Sequence, residues 1–428
     1  MNRSKCICRF LFRQLILLLG GAIVGLAALL AAFCVPTGPM RSHVYQSLPM
    51  LEREFTSSVL IENYPASMTG SFTDCLMLGN AVYTDGEHSL LERVLYVYRN
   101  ERYEGDGWAP GYSLKDYLTG NPGYEVEYAR YWHGYLVFLK PLLWLTNFNT
   151  IRMLAAAVQF MLAGLLVMHY SKRTEYFLSG ALLVSLPFLY FFGLYSSLSL
   201  SICFYVLMAA LLVQERWHET FLSKGGYLEF FLLVGMATAY FDFLTYPLVT
   251  LGYPLCVAIY LGHDSWKKNM LHMISYSLEW TVGYLGMWAC KWILTDILAG
   301  GNVIADAIDT IRFRTAAAGD LSPLSGFASV LQKNLSVYQN WTFALLLLAV
   351  GFVLCYKIWK GKNIVLEGRT WAQSLTVAFV ALLPFGWTFV VQNHSDEHWM
   401  YTCKMFSVSI FAVVCAIGKL IRTRQVEV

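Results

Sequence analysis

Charge is scarce in this chain. Lys, Arg, Asp and Glu together make up 14% of its 428 residues, against roughly 25% in a soluble domain, which excludes an ordinary water-soluble fold. The net charge is only +3 and the basic residues are scattered, so no nucleic-acid partner is expected. The cysteines show no paired spacing in the loops. Cys34, Cys203, Cys256, Cys290, Cys355 and Cys415 sit inside hydrophobic runs, and Cys6 and Cys8 lie in the N-terminal tail. That pattern excludes a disulfide framework, and Cys6-Ile7-Cys8 lacks both zinc-ligand spacing and a second half. A Gly-rich phosphate loop, a CxxC pair and a nucleophile elbow are missing too, as are internal repeats and low-complexity tracts.

Apolar and aromatic residues are what the chain has in quantity. Hydrophobic residues reach 57% and aromatics 16%, the latter crowding the ends of the apolar runs, as in the interfacial belts of membrane proteins. Arg3, Lys5, Arg9 and Arg13 precede an apolar stretch from Leu15 to Cys34. At about 20 residues this stretch is a spanning helix rather than a signal core, with the N-terminus expected in the cytoplasm. Residues 36–149 then form a polar segment with no run long enough to cross. Nine further apolar runs follow, roughly at 150–170, 175–194, 198–215, 227–243, 245–262, 270–294, 341–358, 371–391 and 401–420.

The expected fold is an all-α polytopic membrane protein with about ten transmembrane helices. Its parts are the tail and first span (1–35), a large first extracytoplasmic loop (36–149), spans two to seven (150–294), a second outer loop (295–340), and the last three spans with a cytoplasmic tail (341–428). Lys172-Arg173, Arg216, Lys224, Lys267-Lys268, Lys357, Lys360, Lys362 and Arg369 fall in connections assigned to the cytoplasm, and the tail adds Lys419, Arg422 and Arg424. The short turns near Tyr195-Ser196-Ser197 and Thr245-Tyr246-Pro247 have no basic residue. By the positive-inside rule both termini are cytoplasmic and both long loops face outward.

Within the first loop, Glu87 to Tyr98 has helical spacing. Asp106 to Gly111 and Gly120 to Gly123 read as turns, and Trp132 to Thr146 as an interfacial or re-entrant helix. Ile304 to Phe313 in the second loop is amphipathic.

Charged groups near the outer surface are the informative ones, because burying them needs a reason. Asp74 enters the apolar stretch after Phe72; it serves equally well as a helix cap or as a catalytic carboxylate. Asp242, in Tyr240-Phe241-Asp242-Phe243, has aromatic neighbours and no basic residue nearby in sequence, and a site role is favoured for it. His394 and His398 are four apart, with Asp396 and Glu397 between them. A divalent metal, a phosphate or sugar contact, and plain solvation all suit that cluster, so no cofactor is assigned. Lys404 one turn into the last span, Arg312 and Arg314 in the second outer loop, and Lys291 near a helix end are further candidate cations. Glu279 is either a packing contact or a cavity residue. Glu125, Glu127 and His133 fall in the polar run Tyr124 to Gly134.

One span, a large outer loop with an early acidic residue, and then a bundle of short-looped spans resembles the GT-C class of integral-membrane glycosyltransferases. The protein O-mannosyltransferases and the lipid A aminoarabinose transferases are members. The resemblance lies in layout across the whole chain, and the paired acidic motif of many members is absent around Asp74. It implies a bacterial cell membrane, a polyprenyl-phosphate-linked sugar donor, and a glycan, lipid or protein acceptor, as in polysaccharide biosynthesis at the cell envelope. It also implies a loop carboxylate as base, for which Asp74 is expected first and Glu125, Glu127 and Asp106 stand as rivals. Asp242 would orient the acceptor or a sugar hydroxyl. His394, Asp396, His398, Lys404, Arg312, Glu125, Glu127 and His133 are expected to contact substrate, and no metal ligand is assigned. The alternatives are a transporter or flippase for an amphiphile, and a polysaccharide polymerase or ligase.

Overall fold

The computed structural model describes residues 3–422 apart from 56–58, 60, 63, 65–66, 69–70, 85, 104–108, 174, 263, 320 and 361–367. Helix α1 (Arg3–Phe33) leads into a compact loop region. That region contains α2 (Thr37–Glu54), α3 (Ser71–Val82), α4 (Leu90–Tyr96), β1 (Arg99–Glu101), α5 (Ala109–Leu118), β2 (Tyr124–Val126) and α6 (Leu136–Leu145). The two strands pair antiparallel, Arg99 opposite Val126. The bundle continues with α7 (Phe148–Lys172), α8 (Tyr176–Ser185), α9 (Phe191–Leu194), α10 (Leu198–Lys224), α11 (Tyr227–Phe241), α12 (Leu248–Leu261) and α13 (Trp266–Ala299). The second loop folds as α14 (Val303–Thr315) and α15 (Pro323–Ser336). The chain finishes with α16 (Trp341–Lys360), α17 (Gly368–Phe379), α18 (Leu383–Val390), α19 (Gln392–Glu397), α20 (Trp399–Thr402) and α21 (Ser407–Arg422).

Every apolar run expected to cross the membrane is a helix or a broken pair of helices. Among the described residues, five stretches are long and apolar enough to span by length and composition: Ile7–Phe33, Phe148–Lys172, Leu198–Lys224, Trp371–Val390 and Trp399–Leu420. A sixth arises if α15 and the start of α16, bent by 84°, count as one span. The chain is therefore a helical membrane protein. Helices α11 and α12 are only about 22 and 21 Å long, short of the ~30 Å hydrocarbon layer. The turn expected over Asp106–Gly111 lies partly outside the described residues, and Ala109, Pro110 and Gly111 instead open α5, where a proline costs no hydrogen bond.

Local sequence explains several boundaries. Ser89 and Glu92 form a reciprocal capping box at the start of α4, with Ser89 Oγ accepting from the Glu92 amide and Glu92 accepting from the Ser89 amide. Asn147 caps α7 through Thr150. Packing of α11 on α13 depends on two glycines facing opposite ways. A Cβ on Gly283 would fall 2.1 Å from the Leu232 carbonyl oxygen, and one on Gly235 would fall 2.1 Å from that of Trp280. Two backbones meet directly there, as small residues permit between membrane helices. Gly283→Ala is expected to destabilise the fold by about 1–3 kcal/mol through overpacking, read as a lowered melting temperature in detergent.

Buried charge is spent largely on helix ends. Lys140 donates to the Ala81 carbonyl at the end of α3 (2.7 Å), and Lys291 to Leu95 at the end of α4. Lys419 donates to Tyr260 and Gly262 where α12 stops. Asp296 accepts the Val303 and Ile304 amides that open α14. Cations thus sit on carbonyl ends and carboxylates on amide ends, the pairing that the helix dipole favours. Where water is absent, this arrangement satisfies the charge and the orphan backbone groups together.

Candidate functional site

Both long loops gather at one end of the bundle. Tyr96 donates its hydroxyl to the Ala299 carbonyl, and Tyr338 donates to those of Phe188 and Cys403. The segment from Tyr128 to Gly134 is pinned there against α13 and α11. Trp132 Nε1 donates to the Met287 carbonyl (2.7 Å) and Trp292 Nε1 donates to that of Arg130 (2.8 Å). The Gly134 amide donates to the Tyr240 carbonyl. A Cβ on Gly134 would collide with Tyr240 at 2.3 Å, so the close approach requires glycine.

This clamp holds Arg130 between two cavities. The first, about 800 Å³, is apolar and runs beside α13 from Met273 to Trp292, bounded by Leu248 and Leu251 of α12 and by Phe379 to Val391 around α18. At 1.5 Å per residue that is about 28 Å, close to the thickness of the hydrocarbon layer. Among the described residues, Arg130 and Arg314 are its only charged lining residues. The second cavity, about 620 Å³, is polar and is lined by Tyr96, Arg99, Glu127, Arg130, Asn302 and Asp306 among others. Arg130 lines both cavities and is ion-paired to Asp306 at 2.7 Å. Burial pushes the Glu127 carboxyl above its usual range, helped by the negative charges of Asp306 and Glu125. A third cavity of about 870 Å³, between α6, α7, α10 and α11, has an almost entirely apolar lining with no charged residue among those described.

Neither Asp74 nor Asp242 lines any of these cavities. Asp74 is fully buried. Its oxygens accept from the Leu198 and Ser199 amides (3.1 and 2.9 Å), and Arg152 lies 3.3 Å away. It caps a helix, but that helix is α10, more than 120 residues downstream, and not its own. Burial pushes its carboxyl up, opposed by Arg152 and the two amides. Arg152 also makes a two-point pair with Glu54 at 2.6 and 3.0 Å. Asp242 accepts the Thr245 amide (2.9 Å) and hydroxyl, a turn closed by a side chain.

The other candidates scatter. Glu125 accepts from the Tyr83 hydroxyl (2.6 Å) and meets His88 at 2.8 Å. His133 is buried in a left-handed conformation (φ 56°) with Nε2 on the Tyr128 carbonyl. Burial lowers its pKa to about 3, so it is neutral. Arg312 pairs with Asp309 on the exposed side of α14. Asp396 is held by Lys333 at 2.7 Å. Lys404 is buried and donates to the Met400 carbonyl. Asp106 lies outside the described residues.

His394 and His398 do come together, with ring centres 4.7 Å apart. His394 lies on Leu244 and Arg314, at 2.8 and 2.7 Å. Burial, His398 and Arg314 lower the His394 pKa to about 3, and burial with Arg314 lowers that of His398 to about 4. Among the described residues no group of three His, Cys, Asp or Glu side chains is placed to hold a metal ion, so the metal reading of 394–398 finds no ligand set.

Arg130, Asp306, Arg99 and Tyr96 are cavity residues that did not stand out in the chain, whereas Arg314 is among the candidate cations. One signal was available. Ala307, Thr310, Ile311 and Arg314 all line the apolar cavity and follow helical i, i+3, i+4, i+7 spacing. That periodicity puts Arg314 on the inward face of α14 and Arg312, two residues earlier, on the other. No protein-family model, curated protein or solved structure matches this chain, so its own geometry carries the reading.

Proposed function

We propose that the protein is a membrane glycosyltransferase of GT-C type. It moves a sugar from a polyprenyl-phosphate donor to an acceptor hydroxyl on the outer face of a bacterial cell membrane. In this reading the shorter helices complete about ten spans, both termini are cytoplasmic and the cavities open outward. The observation that carries it is Arg130, which among the described residues is the one charged group common to a membrane-length apolar cavity and a polar cavity with room for a sugar. An occupant that fits both has a long hydrocarbon chain, an anionic junction and a hydroxyl-rich head.

The chemistry follows from the charges. Glu127 takes the proton from the acceptor hydroxyl as that oxygen attacks the anomeric carbon. The bond from that carbon to the phosphate oxygen breaks, its electron pair leaves with the phosphate, and attack from the opposite face inverts the centre. Arg130 and Arg314 stabilise the charge that grows on the departing phosphate. Asp306 orients Arg130. Asp74 and Asp242 are assigned to holding backbone, which leaves Glu127 as the carboxylate that lines the polar cavity without an ion pair among the described residues.

Mass spectrometry of lipid retained by the purified protein tests this. A polyprenyl phosphate, with or without sugar, is the expected species, and Arg130→Ala is expected to lose it. A transported solute found without any prenyl lipid would instead favour the carrier reading and overturn this one.

A further inference from the structure

The sequence-distant residues Asp242 and His394 meet through the backbone of one strained residue. Leu244 has φ 64°, a left-handed conformation costly for a branched side chain. It is held in place by the Asp242 carboxylate, which accepts both the amide and the hydroxyl of Thr245. The turn aims the Leu244 carbonyl at His394 Nε2, 2.8 Å away. A carbonyl can only accept, so Nε2 carries the proton and Nδ1 keeps its lone pair. The Arg314 guanidinium donates to that lone pair at 2.7 Å. Its contact to Glu397 is longer, at 3.3 Å. His394 itself is only 3% exposed, whereas Arg314 lines the apolar cavity.

We infer that His394, locked as its Nε2–H tautomer by the Asp242–Thr245 turn, is a positioning residue that holds Arg314 at the mouth of the apolar cavity as the binding group for a lipid phosphate. This deepens the proposed function and rests on the reading that the cavity takes a phosphate-bearing lipid. A neutral imidazole suits the task. It fixes the guanidinium through one hydrogen bond and leaves the arginine's charge for the ligand, where a second carboxylate would offset it.

Binding of a polyprenyl phosphate and of the uncharged polyprenol of equal length, measured on the full chain in nanodiscs, tests the arrangement. His394→Phe keeps an aromatic ring and loses both hydrogen bonds. It is expected to weaken the phosphate about tenfold, the scale of one hydrogen bond to a charged group, and to leave polyprenol binding unchanged. The double variant with Arg314→Ala should bind the phosphate no more weakly than Arg314→Ala alone, because the two changes remove one contact. His394→Gln, which retains an acceptor and a donor, should recover most of the affinity. Equal loss of both lipids in His394→Phe and no recovery in His394→Gln would show a packing role and overturn the inference. Additive losses in the double variant would overturn it too. Unchanged phosphate binding in Arg314→Ala alone would overturn the cavity reading itself, a result distinct from either.

Discussion

Replacing Glu127 with glutamine is expected to lower kcat for sugar transfer by about 10²- to 10⁴-fold, the usual contribution of a general base, with lipid retention and thermal stability unchanged. Three features single out this carboxylate. It lines the polar cavity, its neighbours Asp306 and Glu125 are also acidic, and burial raises its proton affinity toward the range useful for taking a proton from a hydroxyl. Because the shift is upward, transfer by the native protein should fall as pH drops through the raised pKa. That acid limb should vanish in Glu127→Gln along with the main activity. Asp74→Asn is the necessary comparison. If Asp74→Asn abolishes transfer in fully folded protein while Glu127→Gln retains it, the assignment of the base reverses.

Arg152→Met is expected to be the most damaging single change to stability, costing about 3–5 kcal/mol. Arg152 lies between Asp74, which is fully buried, and Glu54, which is largely so. Removing the guanidinium leaves a fully buried carboxylate without its counter-charge, and it undoes the tie between α2, α3 and α7. Asp74→Asn should cost less. An amide oxygen can still accept from the Leu198 or Ser199 amide, and Arg152 keeps its two-point pair with Glu54. Combining Asp74→Asn with Arg152→Met should therefore be less harmful than the sum of the two, since the charge left stranded has been removed. Thermal unfolding of the four proteins in one detergent measures this cycle. Simple additivity would mean that Asp74 and Arg152 do not support each other.

These expectations separate two fates for buried carboxylates that look alike in the chain. Asp74 and Asp242 each stand alone among apolar neighbours, a setting that suits a catalytic group as well as a cap. Their partners lie elsewhere or in the local turn: Arg152 is 78 residues from Asp74, and the amides it caps are 124 and 125 residues away. Glu125 lies on β2 and Glu127 just past its end, yet one is taken up by Tyr83 and His88 while the other lines a cavity.

What the chain alone determined is the class of solvent it folds in and the helices it makes there. Sparse charge and long apolar runs require a membrane, because in hydrocarbon each backbone group must bond within its own helix. The amphipathic period at Ile304–Phe313 is likewise local and is present as α14, while the turn expected over Gly120–Gly123 is met only at its first residue, Gly120, which closes the end of α5 at φ 88°. Which charges are free to act was decided only by tertiary structure. A carboxylate or guanidinium buried in a medium of low dielectric goes where an opposite charge or an orphan helix end can meet it. Those partners come from loops and helices that sequence spacing does not bring together.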